Sequence, residues 1–449
     1  MRTLLVVILS CALIVILARP SNVRAAPHSV TFTVNSTLDE PDANPGDGKC
    51  KSDPSKKCTL RAAIMENNAG GGGNTIELPA GTYNLTHKDP AEPSEDTGVS
   101  GDLDVLAPLT LKGAGKDSTI IDGAQLDRVM DVFQKTKISR VTIQHGLTME
   151  NGGGIKVEVD GKLTLKNSIV TDNQAVNGSG IYGDGGVIIK GSSVWYNNCV
   201  NKAQQGGGLF VAYGAYISKT RISYNCADQG GGIFAYDKAD VGLNVYLVES
   251  TVDNNRAREG GGIYTYTGGY TLNSTIANNH ANLGSGGTGE GGGVYDASVI
   301  EDFAFYNSTI ASNTTGGGGT AGGIYVAPFE NANLKNTILD YNFPDDCEGP
   351  FTLLNYNLIY NANGCAFNSD PSTQFGIHAD LLSLASNGGP TPTMALHSIS
   401  EAIDAIPVAN CTWGGGNSAL TNDQRGKPRP ADGDGNGKAK CDIGAFELQ

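Results

Sequence analysis

The chain has 449 residues, a formal net charge of −15 and a pI near 4.8. Its 31 Lys and Arg against 46 Asp and Glu leave no surplus of cations to neutralise a phosphate backbone, which argues against a nucleic-acid partner. Its 62 glycines are about twice the usual share and follow no collagen period, so they call for a repeat. In chain order, Met1-Arg2, the apolar run from Leu4 to Leu17 and the small residues Val23 and Ala25 have the layout of a signal peptide, residues 1–25, cleaved after Ala25. The run is shorter than the roughly 20 residues a membrane span needs, and no other span is expected once it is removed. Export makes oxidation the default for the eight remaining cysteines, and the simplest pairing joins sequence neighbours: Cys50/Cys58, Cys199/Cys226, Cys347/Cys365 and Cys411/Cys441.

Residues 28–100 differ in pattern from the rest of the chain. Phe32-Thr33-Val34 leads into a polar loop, and the segment from Cys58 to Asn68 has the pattern of a short amphipathic helix with Thr59 as N-cap and Leu60, Ala63 and Ile64 turned toward the body. Strand, turn and strand come next, from Ile76 to Leu85. The segment resembles the cap domain named for its Cys-Ser-Leu-Arg-Glu-Ala signature, written here Cys58-Thr59-Leu60-Arg61-Ala62-Ala63, with alanine in place of the acid. Leu109 to Gly113 and Thr119 to Gly123 look like the first coils of right-handed β-helix proteins.

From about residue 101 to 345 the chain repeats. Gly-Gly followed by an apolar residue and, in most copies, an aromatic recurs with its second glycine at Gly154, Gly180, Gly208, Gly232, Gly262, Gly293 and Gly323, at steps of 24 to 31 residues. A second motif, Ser or Thr, any residue, an apolar residue, two more, then Asn, runs in phase and ends at Asn173, Asn198, Asn225, Asn255, Asn279, Asn313 and Asn342. Between them lie four- to six-residue runs of apolar-polar alternation, such as Lys162-Leu163-Thr164-Leu165. A coil of two or three such strands buries its apolar side only by stacking on the next coil about 4.8 Å away. The glycines then mark turns needing positive φ or close backbone approach, and the asparagines form a stack whose amides satisfy backbone and one another. Cys199 and Cys226 each follow a motif asparagine by one residue, which predicts equivalent places on successive coils. The repeats also resemble those of chlamydial polymorphic outer membrane proteins, which implies an adhesin-like role.

Residues 346–449 are similar to the module called choice-of-anchor Q, through Asn387-Gly388-Gly389-Pro390-Thr391-Pro392-Thr393, Ala402-Ile403-Asp404-Ala405, Asp423-Gln424-Arg425-Gly426 and Cys441-Asp442-Ile443-Gly444-Ala445-Phe446-Glu447. This resemblance implies an exported bacterial or archaeal surface protein. The expected fold is therefore all-β: a right-handed parallel β-helix with a short N-terminal capping helix and a disulfide-bearing C-terminal cap.

No catalytic set stands out, and the expected role is adhesion, surface structure or carbohydrate binding without catalysis. The alternative is a polysaccharide lyase or glycoside hydrolase working in an acidic groove formed by the densest charged patch: Asp237, Asp240, Glu249, Asp253, Arg256, Arg258 and Glu259. Asp432, Asp434 and Asn436 alternate with glycines like the start of a Ca²⁺ loop, although Ile443 stands where the closing glutamate would be. No other cofactor is implied. The aromatics after Gly-Gly-apolar, namely Tyr182, Phe210, Phe234, Tyr264, Tyr295 and Tyr325, form either an outward stripe able to stack on sugar rings or an inward stack. The expected partners are extracellular glycans or cell-envelope components, and the expected state is a monomer.

Overall fold

A computed structural model describes residues 29–88, 97–198, 203–238, 244–282, 289–299, 301–316, 318–414 and 418–449. The expected signal peptide, Cys199 and Asp240 lie outside them. The coil after Gly232 shows how the repeat works. Its first strand is Ile233–Ala235, its second Val245–Val248 and its third Thr251–Asp253. None could stand alone, and each pairs in parallel with its equivalents on both flanking coils: Ile233 with Leu209 and Ile263, Tyr246 with Tyr216 and Tyr270, Val252 with Ile222 and Ile276. Alternation turns Ile233, Val245, Leu247 and Val252 inward, and all four join one buried cluster that runs the length of the solenoid.

The third strands build a 12-stranded sheet, the third sheet; the first strands and the second strands form two further ladders, the first and second sheets, which merge through Cys347–Asn355 into 22 strands in all. Stacking begins before residue 101, because Asn74–Leu78 pairs with Leu109–Gly113 and Gly81–Asn84 with Thr119–Asp122. It also continues past 345, where Cys347–Asn355 lies on Ala332–Lys335 and Gln374–Phe375 on Leu358–Ile359.

Both expected uses of glycine occur, at different positions. The residue before the pair carries the positive φ, as at Gly230 with φ 62°. The second glycine of the pair makes the close approach: a β-carbon on Gly232 would sit 2.6 Å from the Gly262 carbonyl and 3.0 Å from Asn255 Nδ2.

The asparagines form a continuous buried ladder. Nδ2 of Asn225 donates to Asn255 Oδ1 at 2.9 Å, Nδ2 of Asn255 to Asn279 Oδ1 at 3.0 Å, and Nδ2 of Asn279 to Asn313 Oδ1 at 2.9 Å. One position is corrected. The ladder residue between Asn173 and Asn225 is Asn197, not Asn198: Asn173 Nδ2 donates to Asn197 Oδ1 at 3.1 Å and Asn197 Nδ2 to Asn225 Oδ1 at 2.9 Å. Of two adjacent asparagines, register selects the one three residues after the inward Val194, as Asn225 follows Ile222. Asn198 instead donates to the Ala175 carbonyl. Cys226 is disulfide-bonded. Bonds join Cys50 to Cys58, Cys347 to Cys365 and Cys411 to Cys441.

At the N-terminus, helix α1 (Leu60–Ala69) starts at Thr59, whose hydroxyl accepts from the Ala62 N–H. Arg61, fully buried, binds Asp39 through Nε at 2.6 Å and the carbonyls of Gly98, Gly101 and Asp102, tying the chain before the helix to the loop after it. The C-terminal segment does more than close an end. Residues 376–414 and 418–449 fold back along the outside of the third sheet, where Thr275, Ala277, Thr309 and Ala311 are small enough to admit them. Gln424 inserts there, donating to the Ser250 carbonyl and accepting from Thr275 Oγ1, while Ala445 N–H reaches Thr309 Oγ1.

Candidate functional site

In the aromatic column Tyr182, Phe210, Phe234 and Tyr264 are buried, and Tyr295 and Tyr325 are half-buried. Its rings point away from the solenoid interior, since the aliphatic residue before each faces inward, yet Phe234 and Tyr264 are only 2% and 4% exposed. Neighbouring rings occupy one another's faces: Tyr182 lies 4.6 Å from Phe210, Phe210 5.2 Å from Phe234, Phe234 5.3 Å from Tyr264, Tyr264 4.4 Å from Tyr295 and Tyr295 4.8 Å from Tyr325. Tyr213 and Tyr266 pack over them, and Tyr264 donates to the Tyr266 hydroxyl. Burial pushes the Tyr182 phenol up to about 12. The column is a second core outside the first.

The described residues of the charged patch are spread over successive corners of their coils. Glu249 lies between the second and third strands of its coil, Asp253 ends the third strand, and Glu259 precedes the next glycine pair, so the three sit at successive corners. Each already has a cation: Asp253 receives Arg221 Nε and Nη2 at 2.8 and 2.6 Å, Glu249 lies 3.2 Å from Lys219, and Glu259 takes Arg258 at 2.7 Å with Gln229 on its other oxygen. Asp237 is buried and Arg256 points to solvent. The 432–437 loop gains Asp404 beside Asp432 and Asp434, but their oxygens largely accept from backbone: Asp404 from Asp434 and Lys440, Asp432 from Gly437, Asp434 from Asn436.

Two polar groups had no sequence signal. Asp102 and Asp131 share Arg128 Nη1 at 2.9 and 3.2 Å beside Asp104, and burial pushes their carboxyls up to about 6 and about 7 against the pull of that guanidinium. His378 stacks between Tyr341 and Tyr360 and meets buried Asp340 at 2.9 Å, which also accepts from Ala379 N–H and so fastens the start of the folded-back segment.

A second outward column of aromatics lies on the second sheet. Tyr216, Tyr246 and Tyr270 are register partners on three successive coils, pointing outward and half-buried. Tyr246 and Tyr270 lie 4.7 Å apart but tilted by 41°, unlike the stacked rings from Tyr182 to Tyr295 in the other column. Lys190 stands 5.1 Å over the Tyr216 ring. The folded-back segment adds an indole: Trp413 lies 5.6 Å from Tyr270, on a two-residue strand paired with Ser418–Ala419. It is held there by Asn307 and Asn336, which donate to the Thr412 carbonyl, and by the adjacent Cys411–Cys441 bond. A depression of about 260 Å³ lined by Lys162, Ile188, Tyr213, Tyr216, Asn244 and Tyr246 opens beside the column. Aromatic faces flanked by amide and ammonium groups can stack on sugar rings and hydrogen-bond their hydroxyls.

Comparison with known proteins gives the fold. The family described as right-handed β-helix region matches residues 123–300, and the chain is a right-handed parallel β-helix. Among solved structures, pectate lyase Pel9A aligns over 94% of this chain and 97% of its own at 12% identity and a TM-score of 0.40. No curated protein matches. No helix among the described residues is long and apolar enough to cross a membrane.

Proposed function

We propose that the protein works outside the cell as a non-catalytic carbohydrate-binding β-helix that holds a glycan along the outer face of its second sheet. The observation that carries this reading is the outward column Tyr216, Tyr246 and Tyr270, extended by Trp413, because the chain bends back on itself to place that indole. The leader pattern and the disulfides favour an oxidising, extracellular setting. The likeness of the two ends to a surface-protein cap and anchor-type module favours a cell-surface home.

The test is retention on a panel of immobilised polysaccharides. Changing Tyr246 and Tyr270 together to alanine is expected to weaken binding about tenfold or more, from the loss of two stacking contacts. Tyr325→Ala, in the other column, is expected to leave it unchanged. Loss of retention in Tyr325→Ala but not in the double variant, or no retention of any polysaccharide by the native protein, overturns the proposal.

A further inference from the structure

The second sheet carries its charge unevenly. Among the coils before the tyrosines, strands Leu109–Gly113, Lys135–Ser139, Lys162–Lys166 and Gly186–Lys190 alternate buried inward residues with outward ones that are mostly polar. Six of the outward residues are lysines: Lys112, Lys135, Lys137, Lys162, Lys166 and Lys190, all exposed. Register places Lys135 beside Lys162 and Lys166 beside Lys190 on successive coils whose strands lie about 4.8 Å apart, and like charges on such neighbours repel. Lys112 approaches Glu77 at 4.0 Å, whereas no ion pair holds Lys135, Lys137, Lys162 or Lys166 among the described residues. Elsewhere on this face Glu301 is hydrogen-bonded to Asn244. In a chain of net charge −15, an unpaired cluster of this kind concentrates the scarce cations on one surface.

The lysines and the tyrosines form one track. The column that carries Tyr216, Tyr246 and Tyr270 runs back through Ile188 and Thr164 to Lys137, so a chain lying along the solenoid axis passes from ammonium groups to aromatic rings without turning a corner. Lys162 and Tyr216 line the same depression. The coil repeat of about 4.8 Å is close to the length of one pyranose unit, so successive sugars would meet successive coils.

Resting on the carbohydrate-binding reading above, we infer that the ligand is a linear anionic polysaccharide, bearing carboxylate or sulfate groups, that lies along this track. Its charges are met by the lysines and its sugar faces by Tyr216, Tyr246 and Tyr270. Aromatic rings in line with the cations favour a glycan over a lipid surface, and the chain's overall negative charge opposes a nucleic acid.

The full chain would be run in affinity electrophoresis through gels holding polygalacturonate, dextran sulfate, neutral dextran or double-stranded DNA, and mixed with anionic phospholipid vesicles. The variants are Lys137→Ala/Lys162→Ala/Lys166→Ala and a charge-matched control, Lys51→Ala/Lys57→Ala/Lys438→Ala, all on exposed positions. Retardation by an anionic polysaccharide is expected to weaken about tenfold or more in the first triple variant and on raising salt, and to be unchanged in the control. Polygalacturonate against dextran sulfate separates carboxylate from sulfate recognition. If both triple variants bind alike, if neutral dextran binds as well as the charged polymers, or if DNA or vesicles bind more tightly than either polysaccharide, the inference fails. Tyr-dependent binding of neutral dextran with no lysine or salt dependence overturns this inference alone. No retention by any polysaccharide overturns the function itself.

Discussion

The asparagine ladder should be the costliest polar feature to break, and Asn255 is its clearest test. Its Oδ1 accepts from the Asn225 backbone N–H at 3.0 Å and from Asn225 Nδ2 at 2.9 Å, and its Nδ2 donates to the Ile222 carbonyl at 2.9 Å and to Asn279 Oδ1 at 3.0 Å. Asn255→Ala takes the partner from two donors of Asn225 and from one carbonyl, in a site closed to solvent, while Asn279 Oδ1 keeps the Asn255 backbone N–H. At about 1–3 kcal/mol for each orphaned group, with partial relaxation, the expected loss is about 4 kcal/mol. Asn255→Asp should be worse at neutral pH, because it keeps the acceptor but turns a carboxylate oxygen toward Asn279 Oδ1. The ladder's own end makes the same point: Asp346 is tolerated there because it faces only donors, from Asn342 N–H and Nδ2 and from Asn361 N–H. Urea unfolding followed by circular dichroism measures the change, with the half-buried surface change Asn333→Ala as reference. If Asn255→Ala falls within about 1 kcal/mol of that reference, the ladder does not carry the load assigned to it.

The same geometry sets three further outcomes. Phe234→Ala should lower stability by about 3–5 kcal/mol, as for a core phenylalanine, while glycan retention at equal folded fraction stays unchanged; a small loss would mean the column is not a core. Asp296 occupies an inward place beside Val326, and burial pushes its carboxyl up to about 7 despite its bonds from Ser298. A raised folded value means that its contribution is full below the unfolded pKa near 4 and is lost as pH rises through about 7. Asp296→Asn should therefore flatten the fall in urea midpoint between pH 5 and pH 8 and be the more stable protein at pH 8; parallel pH profiles would refute this. Changing Cys411 and Cys441 to serine opens a link with a sequence separation of 30, expected to cost about 3–4 kcal/mol in the chain-entropy picture, and should also weaken glycan retention by freeing Trp413.

The stacking was legible because a coil's period, its glycines and its asparagines each have a simple physical cause that recurs about every 24 to 31 residues. The misplacement of Asn198 for Asn197 came where two asparagines adjoin and only the inward register of Val194 decides between them. The aromatic column could not be resolved because alternation says that Ile263 and Tyr264 face opposite ways, not that a second layer of residues such as Tyr266 covers the outer one. The lysines were in plain view: Lys162-Leu163-Thr164-Leu165-Lys166 and Lys135-Thr136-Lys137 are strands whose outward residues share a sign. Their meaning depends on stacking, which turns separate pairs of lysines into one field. Trp413 had no local signal, since its place depends on the bonds that its neighbour Thr412 accepts from Asn307 and Asn336, 105 and 76 residues earlier.

A solenoid keeps its tasks apart by side-chain direction. The inward residues of all three strands and the asparagine corner hold the coils together, and the aromatic column thickens the first sheet. The third sheet is given to the returning C-terminal segment, whose Gln424 and Ala445 engage side chains too small to project past it. The second sheet is left accessible over its early and middle coils, and there lysines and tyrosines stand among the outward residues, together with Thr164, Ile188, Ser218 and Val248. Because outward residues on that face contribute little to coil packing, substitutions there should change binding while leaving the fold intact. Substitutions at Asn255 or Phe234 should do the reverse. That separation makes the binding and stability experiments independent tests of different columns of the same repeat.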